Sequence, residues 1–213
     1  MRGLLAASSL GLFAPVLAGC ESTARQDPFF VRASTDTYVF DRAPLFRDRP
    51  LNESILSSLQ LADYAAAMRA TGVLDELQRP GPYTVFAVPN PPLEAEQTFY
   101  RGQLMAPGNL DALRRVLAFT VVPGRYTTGT LRQMIAKQGG PIGLRTLSGD
   151  VLGVSTDPRT GELLLSDRRG NQSRLWLSDM PQSNGVLFAT QSLLLPGQAP
   201  VTPVASRPAP AFR

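Results

Sequence analysis

The sequence contains no histidine and only one cysteine, Cys20. The absence of histidine excludes Ser-His-Asp and Cys-His catalytic arrangements and histidine-ligated zinc or iron sites. A single thiol excludes an internal disulfide and a multi-cysteine metal site. Any catalysis would depend on carboxylates, lysine or a serine–lysine pair. The composition therefore favours a binding or structural role, with no cofactor and no metal.

Charge is also sparse along the chain. Asp, Glu, Lys and Arg make up 18% of the residues, below the usual share of about 25%. The net charge of +4 comes without a dense block of basic residues, so we expect no nucleic-acid partner. Arg168, Arg169 and Arg174 could form a modest cationic patch toward anionic polysaccharide or lipid headgroups, although a solvated loop is the favoured interpretation.

The apolar run near the N-terminus, residues 4–16, is too short for a membrane-spanning helix, which takes about 20 residues. Its length and the preceding Arg2 are typical of a secretory signal. The next residues, Leu17-Ala18-Gly19-Cys20, resemble the lipobox of bacterial lipoproteins. This resemblance implies cleavage before Cys20, acylation of its thiol and anchoring to a membrane through that lipid. An aspartate directly after the cysteine would resemble an inner-membrane retention signal of some bacterial lipoproteins. Glu21 occupies that position, so the outer membrane, facing the periplasm or the exterior, is favoured.

Composition divides the chain into four parts. We predict a signal peptide at 1–19, a lipidated N-terminus and spacer at 20–50, one folded domain at 51–197 and a tail at 198–213. The spacer shows neither helical nor strand periodicity. The tail is rich in Pro and Ala and buries too little surface to offset its ordering entropy, so we predict that it is disordered.

Apolar periodicity predicts an α+β domain with helices first and strands afterwards. The uncharged segment Tyr-Thr-Val-Phe-Ala-Val predicts a central strand at 83–88, buried on both faces. Asn52 and Asn109 are predicted to cap helices, and Gly72 to end one. The predicted helices span 53–59, 62–72, 93–100, 110–122 and 130–136. The other predicted strands span 144–149, 150–157, 163–167, 172–180 and 185–195, in a mostly antiparallel sheet.

Five short motifs occur in an order that resembles a fasciclin-like domain. They are Ala70-Thr71-Gly72-Val73-Leu74, Thr84-Val85-Phe86-Ala87-Val88-Pro89-Asn90, Phe119-Thr120-Val121-Val122-Pro123-Gly124, Thr146-Leu147-Ser148-Gly149 and Ser183-Asn184-Gly185-Val186. The resemblance implies a wedge-shaped β-sandwich of about seven strands with several helices. It also implies an adhesion module, and the lack of catalytic residues favours a protein that is not an enzyme.

The resemblance singles out residues for which we expect mainly structural roles. Phe86 and Phe119 are predicted to be core residues, and Asn184-Gly185 to supply the positive φ angles of a tight turn. The full set is Thr84, Phe86, Asn90, Phe119, Thr120, Pro123, Gly124, Asn184 and Gly185.

The chain departs from the family pattern at two histidines. Phe119-Thr120 stands where the family has Tyr-His, and Phe188 stands where it has a second histidine. We therefore do not transfer the integrin partner of animal fasciclin domains, and we expect a plainer apolar core. Trp176 is either part of that core, the favoured interpretation, or an exposed anchor for a partner.

The favoured function is a lipid-anchored cell-envelope module that binds a protein or a polysaccharide. A structural envelope subunit without an external ligand is the alternative. A carboxylate-dependent hydrolase is less favoured, because Asp75-Glu76 and Glu94/Glu96 lie near helix ends without an adjacent base. The remaining acids, such as Asp157, are scattered over loops.

Overall fold

The structure, a computed structural model, describes residues 47–99 and 103–197. The predicted signal peptide, Cys20, the spacer up to residue 46 and the tail lie outside these residues and stay predictions. Within the described ranges, no helix is both long and apolar enough to cross a bilayer.

Helices dominate the first half of the domain, as predicted. The α-helices are α1 (Leu51–Ser57), α2 (Ala62–Ala70), α3 (Val73–Glu76), α4 (Asn90–Phe99), α5 (Leu110–Phe119) and α6 (Thr128–Gln138). Two 3₁₀ turns, Leu59–Leu61 and Pro107–Asn109, precede α2 and α5. Gly72 ends α2 with a φ of 72°, and Gly139 ends α6 with a φ of 71°. Both take the left-handed conformation that glycine adopts without a steric penalty.

The strands form one sheet with the order β2-β1-β7-β6-β5-β4-β3. Their bounds are β1 (Tyr83–Ala87), β2 (Val121–Pro123), β3 (Ile142–Arg145), β4 (Val151–Thr156), β5 (Leu163–Ser166), β6 (Gln172–Gln182) and β7 (Gly185–Thr190). Only the β1–β7 pair is parallel. After β3, the N–H of Leu147 donates to the carbonyl of Val121 in β2 at 2.8 Å. The sheet therefore curves until its two end strands meet, which gives a near-barrel and confirms the predicted α+β class.

Strands β1 and β7 lie at the centre of the sheet and are buried on both faces. Phe86 and Phe188 point into the interior of the near-barrel, where Leu131 of α6 joins the strand residues of the core. The alternate positions, such as Val85 and Leu187, point to the opposite face and are equally buried. This burial confirms the interpretation of residues 83–88 as a central strand.

The first helix begins earlier than the sequence predicts. Asn52 was expected as its cap, but the helix begins at Leu51 and Pro50 occupies the cap position. The reason is tertiary, because the N–H of Leu51 donates to the side chain of Asn184, at 2.8 Å. Asn109 does precede α5, yet its side chain makes no cap bond and donates to the carbonyl of Gln103.

Two of the other boundaries that differ from the prediction have a cause that the structure shows. Helix α5 ends at Phe119 instead of continuing to Val122, because Val121–Pro123 pairs with β1 as strand β2. Helix α6 begins at Thr128, two residues before the predicted start. Its N-terminus is held by Thr127, whose hydroxyl accepts from the N–H of Thr130, and by Asp179, whose carboxylate accepts from the N–H of Thr128.

Trp176 is half-buried, whereas the sequence predicted either a core residue or an exposed anchor for a partner. It lies where the register of β6 against β7 shifts between Leu175 and Leu177. Such a shift inserts an extra residue into one strand and disturbs the regular alternation of side chains. The position of Trp176 therefore follows from the bulge and not from strand periodicity alone.

Candidate functional site

Asn184 joins the first helix to the centre of the sheet. Its carboxamide oxygen accepts from the N–H of Leu51, and its nitrogen donates to the carbonyl of Leu77 after α3. The backbone carbonyl of Asn184 accepts from the N–H of Tyr83 at the start of β1. One side chain thus satisfies polar groups of two separate segments at the point where β1 and β7 begin.

Gly185 is required for space and not for a turn conformation. The sequence predicted positive φ angles at Asn184-Gly185, and this prediction is wrong, since neither residue has one. A Cβ on Gly185 would lie 2.0 Å from the carbonyl oxygen of Tyr83 and 2.6 Å from Cδ1 of Leu51. The missing side chain therefore allows β7, β1 and α1 to approach each other closely.

Thr84 connects β1 to the turn that follows β2. Its hydroxyl donates to the carbonyl of Gly124 at 2.8 Å and accepts from the N–H of Tyr126 at 2.9 Å. The N–H of Gly124 donates in turn to the carbonyl of Pro82. Gly124 has a φ of 113°, and Pro123 is the last residue of β2. Two motifs that are distant in sequence therefore form one hydrogen-bonded turn.

Asn90 links the start of α4 to the start of α2. Its side-chain oxygen accepts from the N–H of Asp63, and its nitrogen donates to the carbonyl of Leu59. The N–H of Asp63 belongs to the first turn of α2, where no partner exists within the helix. Asn90 thus acts as a cap supplied from another part of the chain.

Thr120 places a buried hydroxyl where the fasciclin-like pattern would have a histidine. Its hydroxyl oxygen lies 2.5 Å from the hydroxyl oxygen of Tyr64, and its O–H donates to the carbonyl of Leu117. Tyr64 is fully buried, and this burial raises the pKa of its hydroxyl, which therefore stays neutral and able to donate.

Phe188, which stands where the fasciclin-like pattern would have its second histidine, stacks on Phe86 with ring centroids 5.2 Å apart. Both rings are buried, as is Phe119. Phe86, Phe119 and Thr120 border a cavity of only about 10 Å³, about the size of one water molecule. The predicted motif residues thus surround β1 and its neighbours.

The three arginines considered as a cationic patch differ in their surroundings. Arg174 forms ion pairs with Asp157 at 3.1 Å and with Glu162 at 3.3 Å. Arg168 and Arg169 are exposed in the β5–β6 loop. Two carboxylates therefore offset the charge of Arg174.

The β4–β5 and β5–β6 loops are each built around an aspartate. Asp157 accepts from the N–H of Arg159, which lowers the pKa of this carboxyl. Asp167 accepts from the N–H groups of Arg169, Asn171 and Leu195. These carboxylates hold loop backbone, as short acidic side chains commonly do in turns.

Two open depressions of about 340 Å³ each are present on the described surface. The first lies beside α5, and three of its charged side chains, Glu76, Arg114 and Arg115, form ion pairs. Arg114 contacts Glu76 at 3.6 Å and the carbonyl of Thr71 at 2.5 Å, and Arg115 pairs with Asp150 at 3.0 Å.

The second depression, which we call the β5–β6 groove, lies where β6 begins and β7 ends. Its lining side chains include Asp157, Leu164, Gln172, Arg174, Gln191 and Ser192. Sequence reasoning missed Gln172, Gln191 and Ser192, because isolated polar residues carry no spacing signal. Across the part of the chain that the structure describes, no three His, Cys, Asp or Glu side chains form a candidate metal site.

The sequence model of the fasciclin domain matches residues 59–196, more than half of the chain. The chain belongs to the fasciclin family. Among curated proteins, Protein sll1483 of Synechocystis sp. is similar, at 27% identity over 131 residues, or 62% of this chain and 64% of that protein. This chain therefore matches less than two thirds of that relative's length.

A solved structure of a FAS1 domain pair, from the insect cell adhesion molecule Fasciclin I, has the same fold. It superposes with a TM-score of 0.61 and 14% identity, over 69% of this chain and 51% of the insect chain. At this identity the comparison concerns the fold alone. Fasciclin domains form a family of cell-adhesion-type modules that are generally not enzymes.

Proposed function

We propose that this protein is a lipid-anchored binding module of the cell envelope. In this proposal the fasciclin domain attaches to a protein or polysaccharide, and the acylated Cys20 holds it at a membrane. The observation that carries the proposal is the combination, in one chain, of a lipobox-like Leu17-Ala18-Gly19-Cys20 with a fasciclin domain at 59–196. Stable anchoring by acyl chains needs two or more of them, which lipoprotein processing supplies.

The roles of the acidic side chains support binding over hydrolysis. A general acid or base must lie within hydrogen-bond reach of a substrate in an accessible site. Asp150 pairs with Arg115, Asp157 pairs with Arg174, and Asp167 holds loop backbone. Each of these carboxylates therefore has a structural role.

The anchor is tested by Cys20→Ala in the full chain, expressed with its own N-terminus. We expect complete loss of palmitate labelling and release of the protein from the membrane fraction, because the thiol is the attachment point. Thr23→Ala, three residues further on, is the matched control and should keep both properties. Membrane retention by the Cys20→Ala chain would refute the anchor.

The binding role is tested by crosslinking on intact cells, followed by purification of the protein. We expect one or more envelope components to co-purify with the full chain and to be lost when the fasciclin domain is removed. Recovery of the same components with the domain deleted contradicts the proposal. A deletion strain with a weakened envelope but unchanged attachment would instead indicate a structural subunit.

A further inference from the structure

We propose that the β5–β6 groove is the ligand site of this domain and that its ligand is a neutral polysaccharide chain. This inference rests on the proposed binding function and narrows it to one surface and one chemical class. The groove is open, has a volume of about 340 Å³, and is lined mainly by polar side chains.

The backbone beneath the groove is held in place by reciprocal hydrogen bonds. The hydroxyl of Ser173 donates to the carbonyl of Ser192 at 3.1 Å and accepts from the N–H of Ser192 at 3.0 Å. The N–H of Gln191 donates to the carbonyl of Arg174 at 2.9 Å. The chain after β7 is therefore fastened to the start of β6. Such preorganisation reduces the entropy that a ligand must remove.

The two carboxamides of the groove are available to a ligand. Gln172 and Gln191 are exposed, and their side chains make no hydrogen bond within residues 47–99 and 103–197. Each carboxamide offers two donors and an acceptor. This pattern matches neighbouring hydroxyls of a sugar ring, which also donate and accept. Leu164 adds an apolar surface against which the C–H face of a ring can pack.

The charge of the groove selects a neutral ligand. Its one cation, Arg174, is already paired with Asp157 and Glu162. An acidic polysaccharide would therefore meet the carboxylate of Asp157 and no unbalanced positive charge in the groove, and like charges at short range are unfavourable. A peptide is disfavoured for another reason. Interfaces between proteins depend on buried aromatic or large apolar anchors, and Leu164 is the one large apolar residue that lines this groove.

The position of the groove suits a tethered binding module. The backbone N–H of Ser183, in the β6–β7 turn, donates to the carbonyl of Arg49, so the chain from the proposed lipid reaches the sheet there. The groove is at the other end of β6. Arg174 and Gln182 are eight residues apart, which corresponds to roughly 25 Å along a strand. The groove is thus separated from the point where the tether joins the domain.

Affinity electrophoresis of the purified full chain tests the site. The protein is run through native gels that contain dextran, galactomannan or xyloglucan, with alginate as the acidic comparison. We expect retardation in at least one of the three neutral gels and none in alginate. The double variant Gln172→Ala/Gln191→Ala should weaken the apparent Kd about tenfold or more, because several ligand hydrogen bonds are lost.

Gln133→Ala/Gln138→Ala is the matched control, since both glutamines are exposed on α6. It should bind like the unaltered chain. Retardation that survives the groove variant, retardation in alginate alone, or none in the neutral gels would overturn the inference. Crosslinking on intact cells then separates the two proposals. If the groove variant still captures envelope components, the binding function is supported and the groove is not its site. If the unaltered chain captures none, both the binding function and the groove proposal are contradicted.

Discussion

Gly185→Ala is expected to lower the free energy of unfolding by about 3 kcal/mol or more. The added methyl would lie 2.0 Å from the carbonyl oxygen of Tyr83 and 2.6 Å from Cδ1 of Leu51. Neither neighbour can move cheaply, because Tyr83 is paired with Gly185 in the parallel β1–β7 ladder and Leu51 is fully buried at the start of α1. Relief of the clash must separate the two central strands or displace the helix. Urea unfolding of the full chain, followed by circular dichroism, measures the change.

The matched control is Gly140→Ala. A Cβ on Gly140 would meet no atom within 4 Å, and its φ angle is not positive. This change should alter stability by no more than about 0.5 kcal/mol. Equal unfolding midpoints for the two variants would show that the close approach at Gly185 is not needed. A Gly185→Ala chain too unstable to accumulate in soluble form agrees with the expectation.

Phe188→Ala is expected to cost about 3–5 kcal/mol of stability. Phe188 has no exposed surface, and its ring stacks on Phe86 at a centroid distance of 5.2 Å and an interplanar angle of 27°. Truncation removes this contact and leaves a cavity between β7 and the rest of the near-barrel core. Surrounding strands cannot collapse into the space without breaking their pairing, so the cavity term remains large.

Two further variants make the Phe188 result specific. Phe188→Leu keeps most of the apolar volume and should lose clearly less stability than Phe188→Ala. Leu59→Ala removes a large apolar side chain that is 86% exposed, and it should have little effect. A small loss for Phe188→Ala, similar to that for Leu59→Ala, would contradict the central position of the aromatic pair.

Local chemistry was sufficient to predict much of the fold. The uncharged run at 83–88 indicated a strand buried on both faces, and β1 lies between β2 and β7 at the centre of the sheet. Gly72 marked a helix end because only glycine takes the left-handed conformation at low cost. In each case the interactions that decide the structure lie within a few residues.

Predictions failed where a distant partner decides the structure. Asn52 was expected to cap the first helix, but the Leu51 N–H has its partner in Asn184, 133 residues away. Asn184-Gly185 was expected to supply positive φ angles to a tight turn between strands. The β6–β7 turn is present, but neither residue has a positive φ angle; Asn184 bonds two remote segments and Gly185 makes room for them. A dipeptide pattern reports its local conformational preference and not the atoms that surround it after folding.

The sequence by itself determined the lipobox-like N-terminus, the α+β class and the fasciclin resemblance, because contiguous residues carry each of them. Only the tertiary structure decided that Arg174 is neutralised by Asp157 and Glu162, and that Gln172 and Gln191 border one groove. These residues come from separate strands and loops. Their chemistry depends on strand pairing, since the register of β5, β6 and β7 sets which side chains become neighbours.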